Sequence, residues 1–260
     1  MQYNVIKVKK FPKTKYAICR RRFRRMEGYM KEFTRVQKWL SCVLKVIVVL
    51  SATAGTFLSA YAGRNSFMGG NMVFMYFTIQ SNIAIALISA IGLCLLARNK
   101  PIGNVWYVIK FVGTVSITLT GVVFGFVLAP TLGAYAWNLQ NTLTHVVVPV
   151  VAVIDFFVVM ASVEIKRKNA IYVIIPPILY AIYAGIGYVQ GWEFAPGINY
   201  PYFFLNWGSP AGAFGFSREL PFMGSAWWII VLLFFLLGVG HVYLIVANQI
   251  RKKRKATRKH

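Results

Sequence analysis

FVGTVSITLTGVVFGFVLAPTLGAYAWNLQNTLTHVVVPVVAVI, residues 111–154, runs for 44 positions without a charged side chain. About 20 apolar residues, each adding about 1.5 Å, carry a helix across a bilayer. The stretch is therefore long enough for two crossings. Pro130 and the turn from Leu132 to Asn141 interrupt it near its middle, and a proline, lacking an N–H, ends or kinks a helix. A membrane-embedded helical hairpin follows.

Further uncharged runs cover 46–63, 65–97, 169–192, 194–217 and 220–250. The 33-residue run at 65–97 exceeds one crossing, so its first part, Asn65 to Asn71 with Gly69 and Gly70, reads as a loop. Spans are expected near 39–61, 73–97, 105–129, 141–163, 170–190 and 226–249, giving an all-α, polytopic membrane bundle of six transmembrane helices. Composition agrees: 58% of the 260 residues are hydrophobic and 13% charged, against about 25% charged in soluble domains. A net charge of +23 would by itself suggest nucleic acid. Its confinement to chain ends and loop edges argues against a specific nucleic-acid partner.

Lys and Arg flanking membrane helices stay on the cytoplasmic side. Of the 29 basic residues, 27 fall on one side: those in residues 1–38, Lys45, Arg98, Lys100, Lys110, Lys166 to Lys168 and the tail from Arg251. Arg64 and Arg218 fall on the other. The organisation expected is a basic cytoplasmic arm (1–38), a six-helix domain (39–249) with an outer aromatic loop (191–225), and a basic cytoplasmic tail (250–260), in the cell membrane. No apolar core precedes Trp39, so the first span reads as an anchor rather than a cleaved signal, and Met26 is a second candidate start. The arm RRRFRR at Arg20 to Arg25 and the tail RKKRKATRK from Arg251 read as topological anchors. Anionic lipid headgroups, at about 1 kcal/mol per charge, are the alternative use.

Cys19, Cys42 and Cys94 fit no metal spacing and form no CxxC, so neither metal nor cofactor is expected. The loop from Gly191 to Gly224 carries ten aromatic residues, among them Tyr200, Tyr202, Phe203, Phe204 and Trp207. Aromatic rings favour the headgroup level, so this loop reads as an interfacial cap over something apolar.

Ionisable and polar residues within spans are the functional candidates. In span four, Asn141, His145, Val148, Ala152 and Asp155 share one helical stripe, and Pro149 leaves the His145 carbonyl without its helical donor. In span two, Thr78, Asn82, Ile85 and Ser89 form a similar stripe, with Thr78 at the depth of His145. A Thr hydroxyl activated by a neutral imidazole is a nucleophile, and Asn82 and Asn141 are candidate oxyanion donors. The plainer reading is interhelical glue, worth about 0.6 kcal/mol per hydrogen bond. Asp155 lies ten residues beyond His145, about 15 Å along the axis, too far to orient that imidazole. It matches the depth of His241 in span six and Lys110 in span three, so a buried pair locking those spans is expected, with a proton or ion relay as the alternative.

MYFTIQSN at Met75 to Asn82, THVVVPVVAVIDF at Thr144 to Phe156 and NYPYFFLN at Asn199 to Asn206 together resemble the bacterial six-helix Pr6Pr membrane family. That group is similar to the androgen-induced (AIG-type, FAR-17a) integral membrane proteins of animals. The resemblance extends over nearly all of 39–249 and implies a six-helix fold. From the animal branch it implies an intramembrane hydrolase of fatty-acid esters of hydroxy fatty acids, with Thr78 as nucleophile and His145 as base. Where the family pattern leads one to expect an acidic residue after YPYxFL, this chain has Asn206, which removes a carboxylate from the outer loop. The function expected is a Thr/His lipid-ester hydrolase fed from the outer leaflet. The alternative is a non-enzymatic binder or transporter of lipid or a small solute, and membrane lipids are the expected partners either way.

Overall fold

A computed structural model describes residues 34–65, 70–98, 103–160 and 164–257. The arm at 20–25 and Met26 lie outside them. Six helices are long and apolar enough to cross a membrane: α1 Arg35–Ala62, α2 Phe77–Ala97, α3 Asn104–Ala136, α4 Leu139–Val159, α5 Arg167–Val189 and α6 Ser225–Arg254. Each overlaps its expected span to within a few residues, apart from the longer end of α3. The chain is a multi-pass membrane protein, and the described residues contain no strand. An even number of crossings brings both ends of the bundle to one face. Large side chains such as Phe57, Phe126 and Phe234 point outward on these helices, each at least 70% exposed, as lipid-facing positions do.

Local chemistry sets the helix ends. Thr34 caps α1 in a capping box, accepting from the Gln37 N–H while the Gln37 side chain accepts from Thr34 N–H. The α-helical part of α3 ends at Leu132, where Gly133 takes φ 57° and starts a short 3₁₀ stretch to Ala136, so the chain turns within the segment expected at Leu132 to Asn141. The Asn138 side chain caps α4 by accepting from Asn141 N–H at 2.9 Å. α5 begins with a 3₁₀ stretch, Arg167–Ile174, and becomes α-helical only at Ile175. Pro176 and Pro177 supply no N–H to the carbonyls before them, which suits a helix start. α5 ends in a Schellman motif: Gly191 adopts φ 68°, Trp192 N–H donates to Gly187 O at 2.8 Å and Gly191 N–H to Tyr188 O at 3.2 Å.

Helices α1 to α4 pack closely around a small core of Val48, Ala52, Ile85, Ile117, Val148 and Ala152. Small residues allow this approach. A Cβ on Gly55 would stand 2.7 Å from Thr144 Cγ2, and one on Gly121 would stand 2.9 Å from the His145 carbonyl oxygen. That carbonyl is the one Pro149 leaves without a helical donor. α6 packs on the 3₁₀ start of α5 and on α3. The α-helical half of α5 makes its contacts through large side chains, Tyr180 and Tyr183 above all.

The segment after α5 folds back over the open end of the bundle. Phe194, Ala195, Phe204, Leu205 and Ala211 are buried while Phe214, Phe216 and Phe222 stay exposed. It contains one 3₁₀ turn, Phe203–Leu205. Tyr76 Oη donates to Phe194 O at 3.0 Å and Trp228 Nε1 to Pro221 O at 2.9 Å, tying it to α2 and α6.

Candidate functional site

The first turn of a helix leaves N–H groups without partners. At α2 the N-cap is Tyr76, whose side chain makes no cap bond. The loop supplies the missing acceptor: Thr78 N–H donates to Tyr202 Oη at 3.2 Å, and Thr78 Oγ1 lies 3.4 Å from the same oxygen. Burial holds the Tyr202 phenol above the ordinary tyrosine range, an effect partly offset by its hydrogen bonds from Thr78. It therefore stays an O–H at neutral pH, able to donate as well as accept.

Beside this pair lies a narrow cavity of about 60 Å³ among α2, α3, α5 and α6, roofed by Tyr202, Phe204 and Leu205. Four of its lining residues carry a hydroxyl, Thr78, Thr120, Tyr180 and Tyr202, and no charged residue borders it. Leu119, Val123, Ile229 and Leu232 are among the apolar walls. The cavity lies beneath the loop expected to act as a cap. A second groove, lined by Gln80, Ser81, Ser116 and apolar residues of α2, α3 and α5, runs along the other side of α5. Phe77 and Tyr180 border both spaces and meet edge to face, centroids 5.3 Å apart.

His145 does not border the cavity and forms no hydrogen bond with Thr78. Its Nδ1 lies 3.1 Å from Asn141 O and 3.0 Å from Thr144 Oγ1. Thr144 Oγ1 spends its proton on Gln140 O at 2.8 Å, so both neighbours of Nδ1 act as acceptors. This hydrogen-bond network assigns the proton to Nδ1 and leaves the lone pair on Nε2.

Asn82 connects the two regions. Its amide donates to Thr78 O at 2.8 Å and Thr144 O at 3.1 Å, while its buried Oδ1 has no partner. With both amide hydrogens on carbonyls, Asn82 has none to offer an oxyanion. The Asn141 side chain donates to Ala136 O at 2.9 Å, and its backbone carbonyl orients His145. Ser81 Oγ and Thr120 Oγ1, 2.7 Å apart, join α2 to α3 at the cavity edge.

The expected pairing of Asp155 takes a different membership. Asp155 bonds Lys110 and also Lys45, with Lys45 Nζ 2.7 Å from Oδ1. His241 does not join them: it is exposed, and its Nδ1 lies 2.7 Å from Leu237 O on its own helix. Lys45 was read as a charge at the inner surface, whereas it is 3% exposed inside the bundle. A signal was available, since Ser41 and Lys45 are one helical turn apart within the first span. Tyr202 as partner of Thr78, and Phe124, which stacks on His145, had no comparable local signal.

Among the described residues no group of His, Cys, Asp and Glu could hold a metal. The chain matches no family model, no curated protein and no solved structure.

Proposed function

We propose that this membrane protein binds a neutral amphiphile, drawn from the lipid phase, in the cavity under Tyr202 to Leu205. The observation that carries the reading is the cavity lining: apolar walls with hydroxyls and no charge. The oxygen end of a long-chain alcohol or a fatty-acid ester would enter it near Thr78 and Tyr202, with the chain leaving along Leu232 and Val123 toward the lipid. A carboxylate would find no cation there. The host is read as the cell membrane with both termini cytoplasmic. Taking the interior Lys45 and Lys110 out of the surface charge leaves 25 basic residues against two.

The test is lipid extraction from purified protein followed by mass spectrometry, with Ala181→Trp filling the cavity from α5. Loss of a bound neutral lipid in the variant supports the reading. An unchanged lipid profile overturns it.

A second reading is the Thr/His lipid-ester hydrolase implied by the Pr6Pr resemblance. Two observations favour it: Thr78 borders an apolar cavity, and His145 is held by Asn141 with its Nε2 lone pair free. In that chemistry Thr78 Oγ1 attacks the acyl carbonyl, Nε2 takes the hydroxyl proton and returns it to the leaving alcohol, and water releases the acid. It requires His145 and Thr78 to close on one another, which the Asn82 bridge between Thr78 O and Thr144 O does not by itself provide. Labelling by a fluorophosphonate probe that disappears in Thr78→Ala and in His145→Ala supports hydrolysis. Neutral-lipid binding without labelling leaves the binding reading alone.

A further inference from the structure

Asp155 is the one acidic side chain within the six spans. Its Oδ1 accepts from Ser41 Oγ and Lys45 Nζ, each at 2.7 Å, and its Oδ2 from Lys45 at 2.9 Å and from Lys110. Lys45 also donates to Ser41 Oγ at 2.5 Å. These groups come from α1, α3 and α4. Asp155, Lys110 and Lys45 are 0%, 2% and 3% exposed. α2 closes the fourth side, where Gly92 makes room for the Lys45 stem: a Cβ there would stand 2.7 Å from Lys45 Cε. Neither the cavity nor the groove beside α5 reaches the cluster.

In their ordinary ionisation states the three groups sum to one positive charge inside the bundle, and among the described residues no second carboxylate borders them. Burying an unpaired ion is costly, and such a site neutralises instead of staying charged. The other titratable side chains near it among the described residues are thiols, phenols and an imidazole. Cys42 on α1 lies within electrostatic reach of Lys45. Cys94 on α2 is exposed, Tyr107 on α3 is a buried phenol, and on α6 Tyr243 bonds Thr118 while His241 faces outward.

We propose that Lys45, Asp155 and Lys110 form a proton-binding site, in which one carboxylate is shared by one ammonium and one neutral amine, and the amine is where a proton binds. Binding places the proton on the amine lone pair and takes the cluster from neutral to one positive charge, with no other bond made or broken. Because the ligands come from α1, α3 and α4, occupancy is coupled to how those helices pack at this end of the bundle. The proposal is independent of what the cavity holds.

The test uses the full-length protein with ¹⁵N-lysine in lipid nanodiscs, reading the Nζ resonances, with Lys45→Met and Lys110→Met for assignment. At pH 7 one of the two lysines is expected at the neutral-amine position, moving to the ammonium position on acidification. In each single variant the remaining lysine has the carboxylate to itself and stays an ammonium. Two ammonium resonances in the native protein throughout pH 5 to about 10 would overturn the proposal. A second readout is melting temperature. The folded chain holds one proton fewer than the unfolded chain, so stability rises with pH toward the ordinary lysine range near about 10.4. That rise disappears in both single variants, and its persistence in both also overturns the proposal. If a variant does not fold, the native resonances still decide.

Discussion

The imidazole of His145 stacks on the ring of Phe124, centroids 3.8 Å apart and planes 20° from parallel, and each residue belongs to a π-helical turn of its own helix. The two turns, Phe124–Leu128 and Leu143–Val147, each precede a proline, Pro130 and Pro149. A π turn donates from i+5, here Ala129 N–H to Phe124 O and Val148 N–H to Leu143 O. The extra residue in each turn re-aims the side chains around it. Two helices so modified place an aromatic face against the one histidine buried in the bundle.

Phe124→Ala removes this face. The aromatic contact alone is worth about 0.5–1.5 kcal/mol, and the vacated volume adds to the loss, so the melting temperature in detergent should fall clearly. Phe124→Leu should recover part of the fall by filling the space. A variant as stable as the native protein would mean the stack contributes nothing.

Tyr202→Phe leaves Thr78 N–H without its acceptor while keeping the ring against Tyr76 and Phe204. Loss of a cap costs about 1 kcal/mol. If the phenol also contacts the ligand, affinity for a fatty alcohol or ester should drop, by up to about tenfold for one neutral hydrogen bond. Titration with a fluorescent fatty alcohol measures it. A variant with native affinity would remove Tyr202 from the binding site.

Gly121→Ala drives a methyl group toward the His145 carbonyl at 2.9 Å and the Pro149 ring at 3.2 Å. A backbone carbonyl and a rigid proline ring cannot swing away, so α3 and α4 must separate, at about 1–3 kcal/mol. Gly238→Ala, where a Cβ meets nothing within 4 Å, is the matched control and should be near neutral. Equal effects at the two positions would show that helix contact is not the cause.

A reporter fused at Lys259 should read as cytoplasmic, and one inserted within 208–215 should read as lying across the membrane from it. The basis is the basic residues that remain at the surface once Lys45 and Lys110 are assigned to the interior. A cytoplasmic signal from the loop insertion would invert the arrangement and place the cavity in the inner leaflet.

The six spans were legible because membrane insertion is a local property: a run such as 111–154 excludes charge, and its length is counted directly. The Pro149 break and the loop cover were legible for the same reason, since both are written in neighbouring residues. Lys45 was misread as a flanking charge because position along the chain says how deep a residue lies, not which way its side chain turns. Only the packed bundle decided that Lys45 reaches Asp155, 110 positions away, and that Tyr202 reaches Thr78 across 124. Helical periodicity defines a face but leaves the rotation of each helix about its axis to the sum of its contacts with the others. The partners of buried polar groups depend on that rotation, so the chemistry of the interior became readable only in three dimensions.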